Sequence, residues 1–228
     1  MGESPANGGC TMRIGIIGAG HIGGTLTRRL RALGHDVAVA NSRGPDTLAA
    51  LAAETGARAA TVEEAVQGRD LVVVTIPQHA VADLPRGLFD AAGDAVIVDT
   101  GNYYPERDGR IAEIESGMTE SGWVARQVGR PVIKAFNTIP ARQLMERGLP
   151  PGQPGRIAIP VAGDDARAKE VVLSLVESLG FDGVDSGPLD ESWRQQPGTA
   201  VYGTDLPAEQ LRESLASASA ERTAEWRA

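Results

Sequence analysis

Residues 12–24, M-R-I-G-I-I-G-A-G-H-I-G-G, constrain the fold of this chain more than any other stretch. The apolar run at residues 14–17 leads straight into Gly18-Ala19-Gly20-His21-Ile22-Gly23, and Leu26, Leu30 and Leu33 follow at helical spacing up to Gly34. A strand, a tight turn and a helix in that order are the setting in which G-x-G-x-x-G reads as a dinucleotide-binding turn. Gly18 permits the sharp exit from the strand, Gly20 lets a pyrophosphate lie against bare backbone, and Gly23 lets the helix pack closely on the sheet. The phosphates would meet the free N–H groups and the positive end of the helix dipole. Gly18, Ala19, Gly20, His21, Ile22 and Gly23 are therefore cofactor-binding candidates, with His21 packing on the dinucleotide rather than titrating.

The chain goes on alternating strands and helices. Residues 36–40, 58–61, 71–76, 95–99 and 131–135 read as further strands, and residues 48–55 and 62–67 as short helices, the second helped by the Thr61/Glu64 capping box. That alternation predicts an α/β fold, a Rossmann-type doubly wound parallel sheet over residues 12–148. The Pro/Gly-rich residues 149–155 read as a linker or excursion loop. Beyond it, residues 156–162, an amphipathic helix at 164–179 and residues 181–186 make a small C-terminal β-α-β extension, so that 149–228 form extension and tail. The tail from Pro207 is helical or disordered. Residues 1–11 read as a flexible leader.

Cofactor choice is decided where the second strand ends. An acidic residue about 20 positions past the glycines binds the ribose 2′-hydroxyl of NAD, whereas an Arg there accommodates the 2′-phosphate of NADP. Here the chain carries Asn41-Ser42-Arg43. Ser42 and Arg43 can donate to a phosphate that a carboxylate would repel; alternatively they are only a polar turn. Ile76 and Pro77, at the end of the fourth strand, fall beside the cofactor's ribose or adenine. Asn102 either hydrogen-bonds a carboxamide or belongs to a polar turn flanked by half-buried tyrosines. The small and apolar residues 136–141 suit the flat face of a nicotinamide. His79 reads as a solvent-facing helix-start residue, His35 as structural, and residues 106–108 as a solvated loop.

A formal net charge of −8 with no run of Lys or Arg argues against a nucleic-acid or anionic-membrane footprint. A small molecule is the expected partner. Cys10 stands alone, so no intrachain disulfide or Cys-based metal site is expected. The leader lacks a basic start and an apolar core, and no apolar run reaches membrane-spanning length, which makes a cytoplasmic protein the expectation. No Ser/His/Asp triad, metal-ligand spacing or carboxylate pair stands out. Hydride transfer needs little acid–base chemistry and fits such a sequence.

Over residues 12–189 the chain resembles the NADPH:coenzyme F420 oxidoreductase family, which moves hydride between nicotinamide and a 5-deazaflavin. The same module occurs in the ferric reductases of the six-transmembrane epithelial antigen family. The shared marks are I-G-I-I-G-A-G-H-I-G, N-S-R, T-I-P-Q-H-A and, most specifically, K-A-F-N-T-I-P-A at 134–141. The resemblance implies that Ser42 and Arg43 hold the 2′-phosphate, that Ile76, Ala80 and Ala141 line the dinucleotide, and that Asn137 and Ile139 lie against the nicotinamide. It also implies pairing into a homodimer. Two features depart from it. Deazaflavin-using archaeal members carry His where this chain has Asn137, while the membrane reductases carry Asn. The segment W-R-Q-Q-P-G at 193–198 matches no deazaflavin signature.

The leading expectation is thus an NADP-dependent oxidoreductase acting on coenzyme F420 or a flavin-like acceptor. A reductase of a small imine or carbonyl compound is the alternative enzyme; it requires a proton donor, with Tyr103, Tyr104, Tyr202 and His79 as candidates. A non-catalytic NADP(H)-binding protein is the third reading. Trp193 either faces the acceptor ring or anchors the tail.

Overall fold

The computed structural model describes residues 11–227. Residues 1–10 of the leader, with Cys10, lie outside the described residues.

Three uninterrupted apolar strands build the centre: β1 (Arg13–Ile17), β2 (Asp36–Ala40) and β4 (Leu71–Val74), with β4 buried along its whole length. Burial on both faces is what a parallel sheet covered by helices demands. β3 (Arg58–Ala59), β5 (Val96–Asp99) and β6 (Ile133–Lys134) complete a parallel sheet in the order β3-β2-β1-β4-β5-β6. Ile14 lies in register with Val37 on one side and Leu71 on the other. The chain therefore winds outward in opposite directions from β1 and β4, which makes their carboxyl ends the switch point where such sheets bind ligands.

The helices that cover the sheet are α1 (His21–Ala32), α2 (Ala49–Thr55), α3 (Val62–Val66), α4 (Gln78–Val81), α5 (Pro105–Asp108), α6 (Ala112–Glu115), α7 (Glu120–Val128) and α8 (Ala141–Glu146). The Thr61/Glu64 capping box that starts α3 is formed in both directions. Alternate residues of the strands feed two cores. Leu71 and Val73 join Ile14, Ile16, Leu26 and Leu30 on one face, while Val72 and Val74 join Ile17, Val66, Trp123 and Val124 on the other. Gly15 faces α3 so closely that a Cβ there would stand 1.7 Å from the Ala65 carbonyl oxygen.

The extension is a parallel pair, β7 (Ala158–Val161) and β8 (Asp182–Asp185), joined by α9 (Ala166–Ser178). Val172, Leu175 and Val176 of α9 belong to the same core as Ile14 and Ile16. Lys134 of β6 also exchanges backbone hydrogen bonds of 2.8 and 3.0 Å with Ala162. The extension thus folds onto the edge of the main sheet and continues its hydrophobic core. α10 (Ala208–Ala216) packs Leu211 and Leu215 against Ala158 and Val184.

Two local expectations need correcting. The fourth strand ends at Val74 instead of running to Ile76, because the chain turns at Thr75 to enter α4. Residues 105–108 form α5 rather than a solvated loop, and the Asp108 side chain is fully buried where it accepts hydrogen bonds from the Tyr104 N–H and from Arg107. Of the two readings of the tail the helical one holds: it forms α10 and then a short turn at Ala224–Trp226. Among the described residues no helix is long and apolar enough to cross a membrane.

Candidate functional site

The glycine turn separates into two functions. A Cβ on Gly18, whose φ is +111°, would lie 2.3 Å from the Thr75 carbonyl oxygen, and one on Gly23 would lie 1.9 Å from the Gly18 carbonyl oxygen. These two glycines hold helix and strand together. Gly20 is different: a Cβ there meets nothing within 4 Å. It occupies the N-cap of α1 with extended backbone and no side-chain cap, so the first N–H groups of the helix face outward without a capping oxygen. That is the room and the donor set a pyrophosphate requires. An open groove of about 710 Å3 runs from here, lined by Ala19, Gly20, His21, Arg43, Thr47 and Ala141 among others.

The loop after β2 is built by Asn41. Its Oδ1 accepts the Arg43 N–H at 2.9 Å, and its Nδ2 donates to Thr47 Oγ1 at 2.9 Å. Thr47 Oγ1 in turn donates to the Gly44 carbonyl at 2.8 Å. The Asn41 amide is therefore committed to shaping the loop. Ser42 and Arg43 are exposed, and neither side chain has a hydrogen-bond or ion-pair partner among the described residues. The carboxylates that line the groove are both occupied: Glu54 by Arg28 at 2.6 Å and Glu146 by Arg142 at 3.0 Å. No free acid faces Arg43 there.

Ile76 reaches the turn, its Cγ2 lying 2.9 Å from where a Gly18 Cβ would be. Pro77 is the N-cap of α4, and Ala80 is half-buried within it. Gln78 is fully buried, donates Nε2 to the Glu120 carbonyl at 2.9 Å, and leaves its Oε1 without a partner.

At the carboxyl ends of β5 and β6 three amides interlock. Asn102 donates to the Asn137 carbonyl at 2.9 Å, while Asn137 Nδ2 donates to Asn102 Oδ1 at 3.0 Å and to the Gln195 carbonyl at 2.7 Å. Gln195 Nε2 completes the cluster by donating to Asn137 Oδ1 at 3.0 Å. The Asn137 side chain thus braces the strand ends instead of standing free. Phe136 beside it holds φ at 62°, the one non-glycine left-handed residue among those described, with its ring buried. Strained backbone of this kind clusters at ligand sites. Ile139 is buried in the core, and Ala141, half-exposed at the start of α8, opens onto the groove.

The four proton-donor candidates differ in their partners. The Tyr103 hydroxyl donates to the Gly109 carbonyl at 3.0 Å from a buried ring. His79 is exposed, with Nδ1 2.8 Å from Asp108 Oδ1. The hydroxyls of Tyr104 and Tyr202, 98 residues apart in sequence, touch each other. Burial and that contact push the Tyr104 hydroxyl well above its ordinary value, which keeps it protonated.

Trp193 lies away from these two tyrosines, under the Arg194 guanidinium at 4.5 Å. The ring that meets them is Trp226, at 5.8 Å from Tyr104 and 6.2 Å from Tyr202. Nothing in the polar tail marks it out, since the contact spans more than 100 residues from Tyr104. His35 has the structural place expected of it, its Nδ1 accepting the Met12 N–H at 3.2 Å.

Residues 13–103 match the family model described as NADP oxidoreductase, coenzyme F420-dependent. The protein YjhV of Escherichia coli strain K12 is 52% identical over 60 residues, or 26% of this chain and 44% of that protein, so the match spans less than half of that relative. Among solved structures, the hypothetical protein SMa0349 of Sinorhizobium meliloti is 30% identical, with a TM-score of 0.71 over 88% of this chain and 97% of that one. A protein of Arthrobacter sp. FB24, provisionally described as an F420-dependent NADP-reductase, is 26% identical, with a TM-score of 0.64 over 78% of this chain and 85% of its own. The dinucleotide turn, the sheet order and these likenesses agree, and the chain belongs to the coenzyme F420-dependent NADP oxidoreductase family.

Proposed function

We propose that this chain binds NADP(H) and passes hydride between the nicotinamide and a planar acceptor of the deazaflavin or flavin kind. The observation that carries the reading is the groove that joins the open Gly20 turn to Arg43, a guanidinium with no partner of its own and no free carboxylate beside it. A 2′-phosphate supplies the anionic partner that Arg43 lacks among the described residues, accepting charge-assisted hydrogen bonds from it. The first N–H groups of α1 take the pyrophosphate, and Ile76 and Ala141 flank the dinucleotide. Asn102 and the turn at residues 136–140 shape the nicotinamide end.

The nicotinamide supplies the hydride chemistry. The chain's own part is to orient the two rings and keep water out, which the interlocked amides of Asn102, Asn137 and Gln195 do by fixing the strand ends. One observation favours a second reading, reduction of a small imine or carbonyl. The paired hydroxyls of Tyr104 and Tyr202 sit beside that edge and are able to deliver a proton.

Stopped-flow oxidation of NADPH by coenzyme F420, FMN, FAD, ferric chelates and the cyclic imine 1-pyrroline tests both. Rapid turnover with F420 or a flavin, unchanged in Tyr104→Phe, is expected. Turnover confined to the imine and abolished in Tyr104→Phe would establish the second reading instead.

A further inference from the structure

The aromatic residues of this chain are few: three Trp, three Tyr and three Phe. Five of them, Phe89, Phe136, Phe181, Tyr103 and Trp123, are buried in the core, and the half-buried Trp193 has the Arg194 guanidinium over its ring. The remaining three, Tyr104, Tyr202 and Trp226, are half-buried as well and, unlike Trp193, meet one another outside the sheet, with the Arg107 guanidinium 4.7 Å from the Tyr104 ring centre. These rings form a partly open aromatic surface.

Its position is set by hydrogen bonds. Tyr104 stands two residues past Asn102, which is bonded to Asn137 across the ends of β5 and β6. Tyr202 is followed by Gly203, whose N–H donates to the Thr138 carbonyl at 2.9 Å, tying this loop to the turn after β6. The rings therefore flank the carboxyl ends of β5 and β6, where the proposed function puts the nicotinamide.

Trp226 reaches them on a strap made by the last described residues. Arg222 latches it: Nη2 donates to Glu120 Oε1 at 2.5 Å and to Gln196 Oε1 at 3.1 Å, with Glu120 only 2% exposed. The indole has a seat, because a Cβ on Gly198 would stand 2.7 Å from Trp226 Cδ1. Between these two anchor points the strap is not packed down. A cavity of about 570 Å3 separates it from the loop of Gly198 and Thr199.

We propose that Trp226 is a specificity-determining residue of the acceptor site, the wall on which a fused-ring acceptor stacks, and that Arg222 is the positioning residue that holds it there. This rests on the hydride-transfer reading above. Offset or edge-on ring pairs at such separations stabilise by an amount that changes affinity several-fold to about tenfold.

The test uses the full chain with Trp226→Ala, Trp226→Phe and Arg222→Gln. NADPH affinity is measured by titration, and KM and kcat by stopped flow with F420, FMN and 1-pyrroline. Trp226→Ala is expected to raise the KM for F420 and FMN about tenfold, to leave NADPH affinity and the KM for 1-pyrroline within about twofold, and to be rescued by Trp226→Phe. Arg222→Gln should shift KM in the same direction with a native circular-dichroism spectrum. Unchanged acceptor KM in Trp226→Ala, or equal damage to NADPH binding and to all acceptors, would reduce Trp226 to an anchor and overturn the proposal while sparing the function. If the wild type binds NADPH yet no fused-ring acceptor oxidises it, the functional reading fails and the acceptor wall fails with it.

Discussion

Lys134 Nζ lies 3.1 Å from Asp99 Oδ2, and both side chains are 1% exposed. Asp99 also accepts from Ser121 Oγ at 2.6 Å and from the Gly101 N–H at 2.8 Å, while Lys134 donates to the Gly101 carbonyl at 2.5 Å. The pair thus ties the ends of β5 and β6 to the turn that presents Asn102. Removing one charge leaves the other buried and unpaired, a loss of about 3–5 kcal/mol, whereas replacing both by apolar residues of similar volume is much milder. Lys134→Ala should lower the free energy of unfolding in urea by that amount, and Asp99→Leu combined with Lys134→Met should recover much of it. A loss below about 1 kcal/mol in Lys134→Ala would show the pair to be dispensable.

The glycine turn predicts opposite phenotypes three residues apart. Gly20→Val adds a side chain into open space at an extended backbone position, so circular dichroism and melting temperature should stay near wild type while dinucleotide binding disappears. Gly23→Val drives a Cβ to within 1.9 Å of the Gly18 carbonyl and should cost most of the protein's stability. Retained binding in Gly20→Val would place the phosphates elsewhere.

Much of this was legible in the sequence because it is local. The turn, the six strands of the main sheet and the β-α-β extension each announce themselves within a dozen residues, through apolar runs cut by Gly and Pro. Tertiary contacts account for what was not legible. Nothing in P-E-R-D shows that Asp108 would be buried against Tyr104 and Arg107, which turns a charged loop into a helix. The Arg222–Glu120 contact spans 102 residues, and the place of Trp226 depends on it. The stretch K-A-F-N-T-I-P-A was visible as a motif, yet the left-handed backbone of Phe136 and the amide lock on Asn137 appear only once β5 and the extension are in place.

His35 predicts a pH dependence. Burial holds its imidazole below the ordinary value of 6.5, because the charged form is poorly solvated there and Nδ1 must stay unprotonated to accept the Met12 N–H. The folded-state value lies below the unfolded one, so the unfolded chain takes up the proton first. Stability is full above 6.5 and is lost as pH falls through the folded-state value. Urea midpoints measured between pH 8 and 5 should fall across this window in wild type and fall less in His35→Gln, which keeps an acceptor oxygen but does not titrate. Parallel curves would contradict this.

NADP selectivity is the claim on which the account stands, and Arg43 carries it. Titration of NADPH and NADH, followed by protein fluorescence, into wild type and Arg43→Ala tests it most directly. The wild type should bind NADPH at least about tenfold more tightly than NADH, and Arg43→Ala should weaken NADPH by about ten- to a hundredfold while leaving NADH within about twofold. Equal affinities in the wild type, or equal losses for the two dinucleotides in Arg43→Ala, would contradict a 2′-phosphate site at Ser42 and Arg43.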